Sequence, residues 1–179
     1  MAQPGKPDRA PCAFIFVNGR LPSLKAARAM LQPEDWLVAA DGGARHLAKL
    51  GLTPHLVVGD MDSLSAADLE RLEQAGVKLL RFPRQKDETD LELALQVVIK
   101  GGWRRVRIIG ALGGRFDQML ANLALLTQPL PEGVDLRLDD GVEEVFIIRS
   151  QAQVEGKRGD VVSLLPQGGS VGGVVTEGL

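Results

Sequence analysis

Acidic residues recur in this sequence at one kind of place, immediately after a short apolar run. Asp41 follows LVAA, Asp60 and Asp62 follow LVVG, Asp87 and Asp90 lie beyond the run that ends at Phe82, and Asp117 comes after the run that ends at Gly110. Two cations, Lys86 and Arg115, are interleaved with them. Alone, Asp41 reads as a helix cap and Asp90 as a first-turn acid favoured by the helix dipole, an effect of ~0.3–1 kcal/mol. The Asp60-Met61-Asp62 pair is more pointed, because residues i and i+2 of an extended segment face the same side and would bring two carboxylates together. Like charges that close call for a cation. Mg2+ is typically held by one or two carboxylates plus the phosphate oxygens of a substrate, which this pair could provide. Lys86 adds a point charge and Arg115 a planar fork for phosphate oxygens. Gly110, Gly113 and Gly114 would let backbone N–H groups approach an anion at the start of the following helix. The spacing is neither the Gly-x-Gly-x-x-Gly dinucleotide fingerprint nor a Walker A loop. Acids at four run ends and cations at two form a constellation that core packing alone would not produce, and it points to a metal–phosphate site.

The elements that must position these residues follow from hydrophobic periodicity. Between residues 13 and 126 short apolar runs alternate with longer amphipathic ones. The spacing predicts strands at 14–17, 37–40, 56–59, 77–82 and 106–110, and helices at 23–31, 42–50, 66–75, 90–100 and 117–126. Near-continuous apolar runs suit a parallel sheet buried on both faces, so the expected fold is α/β, an open and mostly parallel sheet with helices on both sides. In such a sheet ligands bind beyond the carboxyl ends of the strands, which is where the acids fall. Ser65 and Thr89 stand at N-cap positions, Thr89 with Glu92 makes a capping box, and Gly51, Gly76 and Gly101 stand where helices should end. Leu91, Ala94, Leu95 and Val98 form one apolar stripe at helical spacing.

After Pro129 the pattern changes to β segments: 135–138, an Asp140-Gly141 turn, 143–149, a turn over 157–160, then 161–165 and 171–175. The expected organisation is therefore a catalytic α/β domain over 1–128 and a small, incomplete β-rich domain over 129–179.

Composition limits the partners. The chain has 179 residues, 45% apolar and 25% charged, which is enough for one sizeable core. Lys and Arg number 21 against 23 Asp and Glu, and aromatics are 4% with no Tyr, so neither a basic face nor stacking platforms advertise nucleic acid. Cys12 is the only cysteine, which excludes an intrachain disulfide and fits a reducing, cytoplasmic location. The polar N-terminus and the short apolar run after it predict no leader and no membrane span. His46 and His55 lack metal-ligand spacing partners and read as structural or surface residues, and Ser63, Ser65 and Ser163 have no nearby His for a serine triad.

At the acidic positions the sequence resembles the thiamine pyrophosphokinase family. The stretches that carry the resemblance are AADGGA (39–44), VVGDMDSL (57–64), QKDETDLELAL (85–95) and GALGGRFDQMLANL (110–123), with GDVVSLLP (159–166) and VVTEGL (174–179) in the β-rich remainder. The resemblance implies transfer of pyrophosphate from ATP to the hydroxyl of thiamine, with release of AMP. It assigns Asp60, Asp62 and Asp90 to Mg2+ and the transferring phosphates. Asp41, Lys86, Asp87, Arg115, Asp117 and Gln118 would line the nucleotide and pyrophosphoryl region, and Ser163, Thr176 and Glu177 would face thiamine. Many relatives carry His where Gln118 stands. Asp90 and Asp117 are both candidates to accept the hydroxyl's proton.

The resemblance further implies a homodimer whose subunits share each thiamine site, with an aromatic residue beyond the Gly-Leu pair stacking on the vitamin. The sequence ends at Leu179, so a weak or open thiamine site is expected of it. Two other readings fit the same acids: a Mg2+ phosphohydrolase with a carboxylate nucleophile from the Asp60–Asp62 pair, and a non-catalytic protein that binds nucleotide or thiamine.

Overall fold

The alternation of apolar and amphipathic segments builds a seven-stranded sheet in a computed structural model that describes residues 9–178. Residues 1–8, in the polar N-terminal stretch, and Leu179 lie outside the described residues. The strands are β1 (Ala13–Phe16), β2 (Trp36–Ala40), β3 (Leu56–Gly59), β4 (Lys78–Arg81), β5 (Arg105–Ile109), β6 (Asp135–Asp139) and β7 (Glu144–Val145). The helices are α1 (Leu24–Met30), α2 (Ala44–Lys49), α3 (Ala66–Gln74), α4 (Asp90–Lys100) and α5 (Phe116–Leu125), and a single 3-10 turn, Asp41–Gly43, leads into α2. The sheet order is β4-β3-β2-β1-β5-β6-β7, parallel throughout except for the last pair.

That order follows from the connections. From β1 the chain steps outward through β2, β3 and β4, then returns to the other side of β1 as β5. The direction of winding therefore reverses between β1 and β5, and in open sheets of this kind ligands bind at the carboxyl edge where such a reversal occurs.

Both faces of the sheet are covered, which is why its strands read as unbroken apolar runs. Ile15, Val38, Val58, Ile108 and Leu138 point to the face packed by α4 and α5, while Phe14, Phe16, Leu37, Ala39 and Val57 point to the face packed by α1, α2 and α3. Each of these side chains is removed from water, and burial of one such group contributes about 1.5–3 kcal/mol before entropy is counted. The stripe expected on α4 is buried as a unit, with Leu93 added to it.

The helix signals hold. Ser23, Ser65 and Thr89 each accept a backbone N–H at an N-terminus, and Thr89 with Glu92 forms the full capping box. One signal is displaced: Gly101 closes α4 in the right-handed conformation, and Gly102 takes the left-handed one at φ +90°.

The β-rich remainder departs further from expectation. The 135–138 segment does form a strand, and it pairs in parallel with β5 as a member of the main sheet. The Asp140-Gly141 turn is present, with Gly141 at φ +81°, but the strand after it is only Glu144–Val145. The chain divides into two compact units, Met1–Ile147 and Ile148–Leu179. Within the second, the 157–160 turn closes through the Asp160 amide on the Lys157 carbonyl at 3.0 Å, whereas 161–165 and 171–175 form no strand. Periodicity alone cannot make a strand, because its backbone groups need a second strand to pair with.

Candidate active site

The acidic residues gather at the carboxyl edge of β2 and β3, as their positions after apolar runs imply. Asp41 is the first residue beyond β2 and Asp60 the first beyond β3. One carboxylate oxygen from each of Asp41, Asp60 and Asp62 lies within 4.8 Å of the others. Asp60 and Asp62 are therefore neighbours, but not through the extended segment that their spacing suggested. Met61 between them adopts φ +67° with its side chain 3% exposed in the core, so the backbone turns around a buried anchor. The Asp62 amide donates to Asp60 Oδ1 at 3.0 Å, and Arg45 on α2 donates to the Ser63 carbonyl, which ties down the far side of the turn.

Asp41 is the most constrained of the three. It has φ +43°, it is 7% exposed, and its Oδ1 is buried with no hydrogen-bond partner. Other buried carboxylates show how unusual this is. Asp35 accepts from Arg9 and from the amides of Cys12 and Gln32, and Asp140 accepts from the amides of Val142 and Glu143. A buried acceptor left bare costs about 1–3 kcal/mol, more if charged, and residues off the favoured backbone regions persist only where their surroundings hold them. The three carboxylates thus have the charge, spacing and unmet coordination that a divalent cation fits.

Asp90, at the start of α4, stands beside this group. Lys86 Nζ donates to Asp90 Oδ1 at 2.7 Å, with both side chains largely shielded from water. Burial pushes the Asp90 carboxyl above its ordinary range, Lys86 opposes the rise, and Asp41 and Asp60 reinforce it. The resemblance placed Asp90 in the metal group and Asp41 on the nucleotide side, whereas the tight trio contains Asp41 and Asp90 flanks it. Gly59 makes this closeness possible: a Cβ there would lie 3.0 Å from Asp41 Cβ and 3.0 Å from Asp90 Cγ.

The second half of the edge is the loop between β5 and α5. Arg115 and Asp117 are exposed and paired with each other, with Arg115 Nε 3.1 Å from Asp117 Oδ1. The guanidinium holds the Asp117 carboxyl below its ordinary range, opposite in direction to Asp90. Gln118 and Asp87 are exposed, the first on the opening turn of α5 and the second on the loop before α4. Arg84 lies 3.4 Å from Asp62 as a further, solvent-exposed cation. Ser163, Thr176 and Glu177 lie in the second unit, exposed and outside any helix or strand. Burial pushes the Cys12 thiol up to about 11, which leaves it unreactive near neutral pH.

Two further features lie at this carboxyl edge. The loop 18–20 follows β1 at the winding reversal, and its signal was an Asn-Gly pair directly after an apolar run. His46 is buried beneath that loop, with Nε2 2.8 Å from the Gly19 carbonyl oxygen.

Residues 27–138 match the family described as thiamin pyrophosphokinase, catalytic domain. Over 103 residues the chain is 33% identical to thiamine pyrophosphokinase of Bacillus subtilis strain 168, covering 58% of this chain and 48% of that protein. It is 26% identical to thiamine pyrophosphokinase 1 of Oryza sativa subsp. japonica, over 98% of this chain and 75% of the rice protein. Among solved structures, a thiamin pyrophosphokinase family protein from Enterococcus faecalis superposes with a TM-score of 0.61 at 33% identity, covering 75% of this chain and 63% of the other. The match to the Bacillus subtilis protein thus spans about half of that protein's length.

Proposed function

We propose that this chain, which belongs to the thiamin pyrophosphokinase family, transfers the β,γ-pyrophosphoryl group of ATP to the hydroxyl of thiamine, giving thiamine pyrophosphate and AMP. The observation that carries this reading is the bare, buried Oδ1 of Asp41 within a trio of carboxylates at the carboxyl edge of a parallel sheet. Asp41, Asp60 and Asp62 would hold Mg2+, with Asp90 alongside, and the ion would supply neutralisation of the phosphate charge.

The chain's own groups do the rest. Lys86 and Arg115 bind the transferring phosphates, and Arg115 exchanges its exposed contact with Asp117 for phosphate oxygens. Asp87, Asp117 and Gln118 line the nucleotide beside them. Holding the two reactants in line converts a bimolecular encounter into an oriented one. The hydroxyl oxygen of thiamine bonds to the β-phosphorus as the bond from that phosphorus to the α–β bridging oxygen breaks, and AMP departs with the bridging oxygen. The hydroxyl proton passes to a carboxylate, Asp90 or Asp117.

We assign thiamine binding and dimerisation to residues 129–179, of which β6 and β7 extend the main sheet, with Ser163, Thr176 and Glu177 on the vitamin. Exposed apolar side chains there, Val161 at 87%, Leu165 at 77% and Val175 at 82%, support a partner surface in a homodimer. A cytoplasmic enzyme with no nucleic-acid or membrane partner is part of this proposal, argued from the single cysteine and the balanced charge; no helix among the described residues is long and apolar enough to cross a membrane.

Chromatography of products from ATP, Mg2+ and thiamine tests the reaction. AMP and thiamine pyrophosphate formed together, only when thiamine is present, support it. Phosphate release without an acceptor would identify a phosphohydrolase, and binding without turnover a non-catalytic protein.

A further inference from the structure

Three loops meet at the carboxyl edge of β1, and they meet through atoms so close that glycine is required. A Cβ on Gly19 would fall 2.1 Å from the Gly110 carbonyl oxygen and 2.8 Å from that of Gly113. A Cβ on Gly43 would fall 1.9 Å from the Phe16 carbonyl oxygen, and one on Gly42 would strike the Asn18 side chain. The loops after β1, β2 and β5 are thus interlocked where the sheet's winding reverses.

One side chain ties them from below. His46 on α2 places Nε2 2.8 Å from the Gly19 carbonyl oxygen, and its Cδ2 lies 3.7 Å from a Cβ built on Gly110. A carbonyl oxygen only accepts, so Nε2 carries the proton and donates. Nδ1 is buried without a partner, and burial favours the neutral ring with its proton on Nε2.

The residue so positioned is Arg20. Its amide donates to the Gly113 carbonyl at 3.2 Å, and its Cβ and Cγ lie within 3.8 Å of a Cβ built on Gly113. Its guanidinium is exposed and makes no hydrogen bond or ion pair among the described residues, unlike those of Arg45, Arg84 and Arg115. An unengaged arginine at the carboxyl edge of a parallel sheet, beside a glycine-rich loop, has the chemistry to recognise phosphate.

We infer that Arg20 is a further phosphate-binding residue of this site and that His46 is its positioning residue, acting through the Gly19 carbonyl. The inference rests on the reading that ATP binds at this edge.

Calorimetric binding of ATP with Mg2+, thiamine omitted, tests it separately from the reaction. Arg20→Met should weaken binding about tenfold, as loss of one charge-assisted hydrogen bond does, with no change in melting temperature. His46→Leu should weaken it similarly, while His46→Gln, whose amide nitrogen can reach the Nε2 position, should recover most of the affinity. In the double variant, Arg20→Met on His46→Leu should cost much less than a second tenfold, because the two act through one contact. Wild-type affinity in Arg20→Met, or a full second tenfold in the double variant, overturns the inference. A wild-type chain that binds ATP yet forms no AMP would sink the proposed reaction and leave this inference standing.

Discussion

Lys86, on the loop before α4, and Asp90, the first residue of α4, form a 2.7 Å ion pair beside a group of three further carboxylates. Without substrate, this is the only ammonium held against the acidic edge among the described residues. Lys86→Met should lower kcat/KM for ATP by about a hundredfold, the scale of losing one preorganised charge contact. It should also raise the Asp90 carboxyl further, since Lys86 is what opposes the effect of burial there. Steady-state kinetics decide the first point: an unchanged kcat/KM would remove Lys86 from the phosphate.

Asp41 and Asp62 should separate stability from function. Asp62 is exposed, with a side chain 47% accessible, so Asp62→Asn should leave the circular dichroism spectrum intact and abolish AMP release. Full activity at saturating Mg2+ would end its assignment to the metal. Asp41→Asn keeps a residue type that tolerates φ +43° and removes a buried, unpaired charge. The variant should melt higher than wild type without Mg2+, by an amount matching about 1–3 kcal/mol, and lose the stabilisation that Mg2+ gives wild type. A lower melting point without metal would show that Asp41 is satisfied by something else.

The sheet and most helix ends were legible in the sequence because burial on both faces, capping residues and glycine stops are local signals. Asp60 and Asp62 were legible as a pair, but their geometry was not. Nothing in Asp-Met-Asp announces that methionine would plug the core at φ +67° and fold the acids together by a turn. Asp41 looked like an ordinary cap, since its bare Oδ1 depends on what surrounds it in space. Arg20 was not singled out and His46 was read only as a structural or surface residue, because what they adjoin depends on which strands are neighbours, and sheet order is a long-range property. The same limit explains β6, whose run was visible and whose partner, β5, was not.

Gly59 tests how tightly the acids must sit. Its φ of +149° is unfavourable for any side chain, and a methyl would meet both Asp41 and Asp90 at 3.0 Å. Gly59→Ala should destabilise the fold by roughly 1–3 kcal/mol and push the two carboxylates apart. The loss of kcat should exceed what the fraction unfolded explains. Denaturant titration paired with kinetics checks this, and activity falling only in proportion to folded protein would mean the spacing is not critical.

The buried ring of His46 should leave its mark on stability as a function of pH. Burial lowers its pKa from 6.5, and the charge of Lys49 acts in the same direction, against the one raising influence of the Gly19 carbonyl. As pH falls through about 6.5 the unfolded chain takes up a proton at this residue before the folded one does, so it binds more protons and stability declines. The contribution is fully present above pH 6.5 and is lost below it, with a slope of at most about 1.4 kcal/mol per pH unit until the folded ring also titrates. Asp90 shifts the opposite way: its folded pKa is raised from 3.8, so it favours the fold as pH falls and offsets part of the loss at more acidic pH. Chemical denaturation of wild type and His46→Gln between pH 5.5 and pH 7.5 isolates the histidine, since the variant has no ring to protonate. The wild-type curve should fall toward low pH and the difference between the two proteins should shrink or reverse there. Parallel curves would show that His46 binds its proton equally well folded and unfolded.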